Sequence, residues 1–246
     1  LELAEFNHEY LIDGNSHTAA LLVDQVNKSR LLARETSKLQ FLGDYSIGQP
    51  AAAIYKVERE QARLLEVISG SFNALREEKD IMHIKAYHDS FKVLSEIVGA
   101  AINDIIANAD MGTKEYERIN TLLDNQHKLI LMNESLEELA KELKAMEKIG
   151  QLRTLAQMAV EGLDAILLSL MDIASKYNEE DAILLKNMTS ERGSDFSRVR
   201  GNYLDAETAL DSSVKALLLS STNHMDRLRS LFGSVGENYR KLGETV

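Results

Sequence analysis

The sequence predicts an all-α protein, an antiparallel bundle of about seven long helices, either as one body or as two packed three- or four-helix bundles. Three observations carry that expectation. A single proline, Pro50, stands in 246 residues, and proline is what most strongly interrupts a helix, because it lacks the N–H and its ring clashes with the preceding turn. Apolar residues recur every three or four positions almost throughout, the rhythm of one helix face. No stretch shows the two-residue alternation of a strand.

Taken in order, residues 1–15 have no clear period and end in the turn-forming run Asp13-Gly14-Asn15-Ser16, so they are expected to be a lead segment. Ser16 can cap a first helix to about Leu42, with Ala19, Leu22, Val23, Val26 and Leu31 on its apolar side. Gly43 to Gln49 breaks it. Pro50 opens the second helix from its first turn, where the missing N–H costs nothing, and Ile54, Val57, Leu64, Leu65, Ile68, Phe72 and Leu75 form its seam. The charged run Arg76 to Asp80 ends or bends it. A third helix carries Ile84, Tyr87, Phe91, Leu94, Val98, Ala101 and Ile105, a heptad-like stripe that closes at Asn108 to Gly112.

Thr113 is the expected N-cap of a fourth helix, with Glu115 and Glu117 in the first turn, where the helix dipole favours them. Its seam is read through Ile119, Leu123, Ile130, Leu136, Leu139, Leu143 and Met146. Gly150 is the expected break before a fifth helix, Leu152 to Tyr177, and Asn178 punctuates that one. A sixth is expected from about Glu179 to Ala206 and a seventh from Asp211, the latter with the longest seam, Val214 to Leu242. Short connections require antiparallel neighbours. The organisation expected is an N-terminal helical bundle over 16–149 and a C-terminal one over 150–246, packed as one rigid unit because no Gly/Ser/Pro-rich linker separates them.

Composition narrows the function. The chain is 44% apolar, enough to fill a large core, and its net charge of −11 repels phosphate backbones and anionic lipid, so no nucleic-acid partner is expected. A basic partner surface suits it better. Zero cysteines exclude disulfides and thiolate zinc sites and fit a cytoplasmic protein. No apolar run approaches the roughly 20 residues that cross a bilayer. The chain starts at Leu1 without a basic, then apolar, leader, and it is expected to be a piece of something longer.

Chemistry is sparse. One Glu-x-x-His match, Glu5-Phe6-Asn7-His8, lies in the lead segment; the looser Asp80/His83 and Asp124/His127 carry a carboxylate too short for bridging metals in a bundle. The six histidines are scattered, and no Gly-x-Ser-x-Gly or phosphate-cradling glycine loop occurs. The expectation is a non-enzymatic protein with no cofactor and no metal. Glu134, Glu137, Glu138 and Glu142 interleave with Lys141, Lys144 and Lys148 as a solvated helix face. The segment Arg192 to Arg200 differs, because Arg192 and Val199 share a face with Phe196 and so place a guanidinium beside an apolar seam. It needs a carboxylate, and Glu161 and Asp164 are the candidates. With Arg198 and Arg200 they form either a register-fixing ion pair or an anion or regulatory-ligand site.

The pieces Val160-Glu161-Gly162-Leu163-Asp164-Ala165-Ile166-Leu167, Met188-Thr189-Ser190-Glu191-Arg192-Gly193 and Arg198-Val199-Arg200 with Tyr203-Leu204 resemble the C-terminal part of bacterial sodium/phosphate cotransporter-family proteins, called PhoU-like. Weaker echoes are Tyr10-Leu11, Thr18 to Leu21 and Val57 to Leu65. The resemblance implies a cytoplasmic helical domain appended to a transporter of inorganic phosphate and sodium, sensing or regulating through contacts with the membrane portion or a regulatory protein. It is similar in kind to PhoU proteins, which pack two three-helix bundles and can hold metal clusters on Glu/Asp-rich motifs. This chain departs from them, having no Glu-Asp-x-x-x-Asp motif, only Glu58 with Glu60 and Glu161 with Asp164. A stand-alone sensor or assembly scaffold is the competing expectation, with the third and seventh helices open to homo-oligomer formation.

Overall fold

In the computed structural model, residues 49–77, 81–190, 198, 200–203 and 211–244 are described. Of these, 93% are helical and none is strand. The long elements are α1 (Pro50–Arg76), α2 (Ile81–Asn108), α3 (Thr113–Glu147), α4 (Gly150–Ser175), the short α5 (Glu179–Thr189) and α6 (Ser212–Glu244). Residues 198 and 200–203 are also helical. The helix expected over Ser16 to Leu42 and the lead segment lie outside the described residues.

The helices pack as two joined triangles. α1, α2 and α3 are mutual neighbours, as are α4, α5 and α6, and the two groups meet where α4 packs on α1 and α3 and α6 packs on α3. Pairs across the bundle fix the directions. Glu58 and Gln61 meet Arg118 and Gln126, so α1 and α3 run parallel. Asn238 meets Asn125 while Ser220 meets Glu142, so α6 runs antiparallel to α3. A single apolar core threads all six helices and includes Val57, Phe72, Phe91, Leu136, Leu163, Leu185 and Phe232, each at most 2% exposed. Burying each such side chain contributes about 1.5–3 kcal/mol, so helix-face packing rather than intrinsic propensity holds these elements.

The expected seams of α1, α2, α4 and α6 face this core, with Tyr87, Val214 and Leu217 only partly covered. The seam of α3 is different. Ile130 is exposed and Leu123 half-buried, and the buried line is Ile119, Leu122, Gln126, Leu129, Asn133, Leu136, Ala140 and Leu143. That line keeps a strict three-four step, but polar residues occupy two of its positions.

The ends differ by small steps from expectation. Gly112, in extended backbone, is the N-cap of α3, so Thr113 is its first helical residue and not its cap. Ile149 supplies the break before α4, and Gly150 is inside the helix. Asn178 does punctuate, because its side-chain oxygen accepts from the Glu180 N–H, and Glu179, Glu180 and Asp181 complement the helix dipole in the first turn of α5. The helix expected to run to Ala206 stops at Thr189. Ser190 turns extended, its hydroxyl donating back to the Asn187 carbonyl in the last turn, and the Thr189 hydroxyl donates to the Leu185 carbonyl.

Candidate functional site

Asp164 sits one helix turn beyond Val160 on the buried side of α4, and its side chain is only 4% exposed. Its cation among the described residues is Arg76, at the C-terminal end of α1, with Nη1 2.9 Å from Oδ2. Oδ1 is buried without a hydrogen-bond partner among the described residues. Burial pushes the Asp164 carboxyl above its ordinary range, and the guanidinium offsets that only in part. Glu161, one turn away, is exposed. Arg192 lies outside the described residues.

Arg200 reaches α6, donating to Asn223 Oδ1 at 3.2 Å and Thr222 Oγ1 at 3.4 Å. Arg198 is exposed. The buried cation of this half of the bundle is Arg229, on α6, which the sequence reading did not single out. Its Nη1 donates to the Ser190 carbonyl at 3.3 Å, Asp226 lies at 3.6 Å, and Nε is buried without a partner among the described residues. Arg229 therefore ties the end of α5 to α6. Its signal in the sequence is slight: it falls one position beyond the apolar Leu228 in a helix already rich in seam residues.

A second set of polar side chains lies inside the α1–α2–α3 triangle and its contact with α6. Gln126 donates to the carbonyl and hydroxyl of Ser95 at 2.9 and 2.7 Å and accepts from Gln61 at 3.0 Å; Gln61 also donates to the Leu122 carbonyl. His88 donates from Nδ1 to Asn133 Oδ1 at 2.7 Å, which fixes the tautomer and leaves the Nε2 lone pair in the core with no partner among the described residues. Burial lowers the His88 pKa despite the Asn133 bond, so the ring is neutral. Asn238 bridges Asn125 and Asp124 at 2.8 and 2.7 Å, and its bond, with that from Lys128, holds Asp124 below the usual carboxylate range against the opposing effect of burial. At this end Arg118 joins Glu58 at 2.7 Å and the Leu242 carbonyl at 3.1 Å, closing α1, α3 and α6 together. Nearby, burial with Glu58 in range raises the Tyr239 phenol far above normal, and its hydroxyl has no partner among the described residues.

What this arrangement can do is hold and position. Ser220 donates to Glu142 and His224 Nδ1 contacts the same carboxylate at 2.9 Å, but the hydroxyl bonds the acid and not the imidazole, so the three do not form a nucleophile–base relay. Among the described residues no group of three or more His, Asp or Glu could hold a metal ion. No described helix is long and apolar enough to cross a membrane. Among the described residues, an open groove of about 680 Å³ lies between α5 and α6, walled by Glu179, Lys186, Ser234, Glu237, Arg240 and Glu244. No family model matches this chain, and no curated protein or solved structure matches it either.

Proposed function

We propose that this chain is a non-enzymatic regulatory domain of a sodium-dependent inorganic phosphate transporter, cytoplasmic, acting through helix-face contacts with the transporter's membrane portion or with a regulatory protein. The observation that carries the regulatory half of this reading is the contrast between its two triangles. α1, α2 and α3 are knitted by interior hydrogen bonds, whereas α5 is anchored by one fully buried side chain, Leu185, and exposes Ile183 and Leu184 by more than half. An element held so lightly beside a groove is one whose position a partner can bias by the few kcal/mol that separate such states. The transporter half rests on the resemblance carried by Val160 to Leu167, Met188 to Gly193 and Arg198 to Leu204.

The test is sodium-dependent uptake of radiolabelled phosphate by cells carrying the intact gene or the gene lacking residues 50–244. The expected result is that uptake persists while its response to phosphate supply changes. No sodium-dependent uptake attributable to the gene, or identical responses in both strains, would refute the reading.

A scaffold is the second reading, favoured by Met158 and Leu168, which are 57% and 47% exposed and lie on one outer face of α4. Light scattering over a concentration series separates the two, because a scaffold holds a fixed oligomer on dilution.

A further inference from the structure

α5 meets α6 along a line of close approaches. Leu185 lies against Gly236, Thr189 against Gly233 and Tyr177 against Gly243; a Cβ at Gly236 would stand 2.3 Å from Leu185 Cδ2. Glycines at these three positions let the short helix sit deep, and the groove opens beside the contact line. Ile183 supplies an exposed apolar patch on its α5 wall.

The charge in the groove is lopsided. Glu179, Glu237 and Glu244 face it against Lys186 and Arg240. Arg240 is engaged with Glu237 at 2.9 and 2.6 Å and with Glu244, and Lys186 is near enough to help hold the Glu237 carboxyl low, behind the hydrogen bond from Arg240. Arg240 therefore serves Glu237 and Glu244 and Lys186 acts on Glu237, while Glu179 makes no ion pair among the described residues. Tyr177 lines the same groove and packs on Gly243, so an aromatic ring and the Glu179 carboxylate, both of which favour an ammonium or guanidinium, belong to one groove. The chain as a whole carries a net charge of −11, which steers cations toward it and repels acidic partners.

We propose that the α5–α6 groove docks a basic amphipathic segment of a partner protein, with its Lys or Arg taken by Glu179 and its aliphatic side chain on Ile183. This rests on the regulatory reading above and names the partner's chemistry. Docking there bears directly on α5, so occupancy of the groove and the packing of α5 on Gly236 are coupled.

The test uses a labelled amphipathic peptide of lysine and leucine at helical spacing, with a control peptide in which glutamate replaces every lysine, titrated by fluorescence anisotropy. Glu179→Gln removes the carboxylate without an ion pair from the groove, and Glu117→Gln removes the same charge from an exposed site on α3. The lysine peptide is expected to bind and to lose roughly three- to tenfold in affinity on the groove variant, with little change on the α3 variant. Equal losses on both variants would mean attraction to net charge alone and would overturn the proposal, as would absence of lysine-peptide binding or equal binding of the glutamate peptide. Both sites are exposed, so circular dichroism is expected to be unchanged. Failure here with an altered uptake response in the deletion strain refutes the groove alone; unaltered uptake refutes the regulatory reading itself.

Discussion

Replacing Arg76 with Gln removes the cation of a buried carboxylate and leaves Asp164 with neither oxygen ion-paired among the described residues. At 2.9 Å the attraction between unit charges is about 5.7 kcal/mol at an effective dielectric of 20 and about 1.4 kcal/mol in bulk water. The Arg76 side chain is 46% exposed, which places the pair toward the watery end, and a cost of about 2 kcal/mol at pH 7 is expected. The sign with pH follows from the direction of the shift. Asp164 has a raised pKa when folded, so its protonated form is favoured in the folded state, and stability relative to that form is lost as pH rises through the folded value. Removing Arg76 raises that pKa further. The Arg76→Gln penalty should therefore be largest at neutral pH and shrink in acid as Asp164 takes up a proton. Urea denaturation followed by circular dichroism at pH 7 and near pH 4 measures it, and about 2 kcal/mol corresponds to roughly 4–8 °C in Tm for a domain of this size. A penalty that is the same at both values, or one that survives in an Asp164→Asn background, would show that Arg76 acts by packing and not by charge.

Other consequences can be measured on the same apparatus. His88 is held neutral in the core, its folded pKa lowered, so it contributes stability present above the unfolded value of about 6.5 and lost as pH falls below it; His88→Leu should flatten the stability profile between pH 7 and 5, and a profile unchanged by the substitution would refute this. Gln126→Leu takes a donor from the Ser95 hydroxyl and an acceptor from Gln61, a loss of about 1–3 kcal/mol in the urea midpoint analysis. Tyr239→Phe deletes a buried hydroxyl that bonds nothing described, so stability should hold within about 0.5 kcal/mol or rise. Gly236→Ala places a methyl into Leu185, and hydrogen exchange should report faster exchange of the α5 amides with the α3 amides unaffected.

The order of the described helices, the seams of α1, α2, α4 and α6, and the break at Asn178 were legible, because each depends on local pattern alone. The α3 seam was not. Reading only apolar residues selects Leu123 and Ile130, whereas the helix turns Leu122, Gln126, Leu129 and Asn133 inward. The correct face can be found only by letting polar residues complete the three-four step, and what makes that tolerable, Ser95, Gln61 and His88, sits on other helices. The same holds for Asp164. Its burial follows from the α4 pattern, but that Arg76 would cover it depends on where α1 ends against α4, which no local pattern encodes. Likewise α5 ends where Ser190 turns extended and its hydroxyl donates back to the Asn187 carbonyl, while the apolar period alone gives no reason for α5 to end.

The polar positions of α3 also bear on how the bundle could move. Apolar seams tolerate sliding, since one methyl group substitutes for another at little cost, but Gln126 and Asn133 have partners at one register only. Shifting α3 by a turn against α1 and α2 would strand several buried donors and acceptors at about 1–3 kcal/mol each. Such interior amides make the first triangle stiff at some expense in burial energy, and they concentrate any low-energy rearrangement elsewhere. α5 is the element left with that freedom: its ends are set by Asn178 and Ser190, its one deep anchor is Leu185 in the Gly236 notch, and Arg229 clasps its last turn through a carbonyl. Partner binding of the kind proposed is therefore expected to displace α5 from its glycine contacts on α6 while α1, α2 and α3 keep their register. Exchange rates that rose first in the Gln126 and Asn133 layer on partner binding would overturn that division of labour.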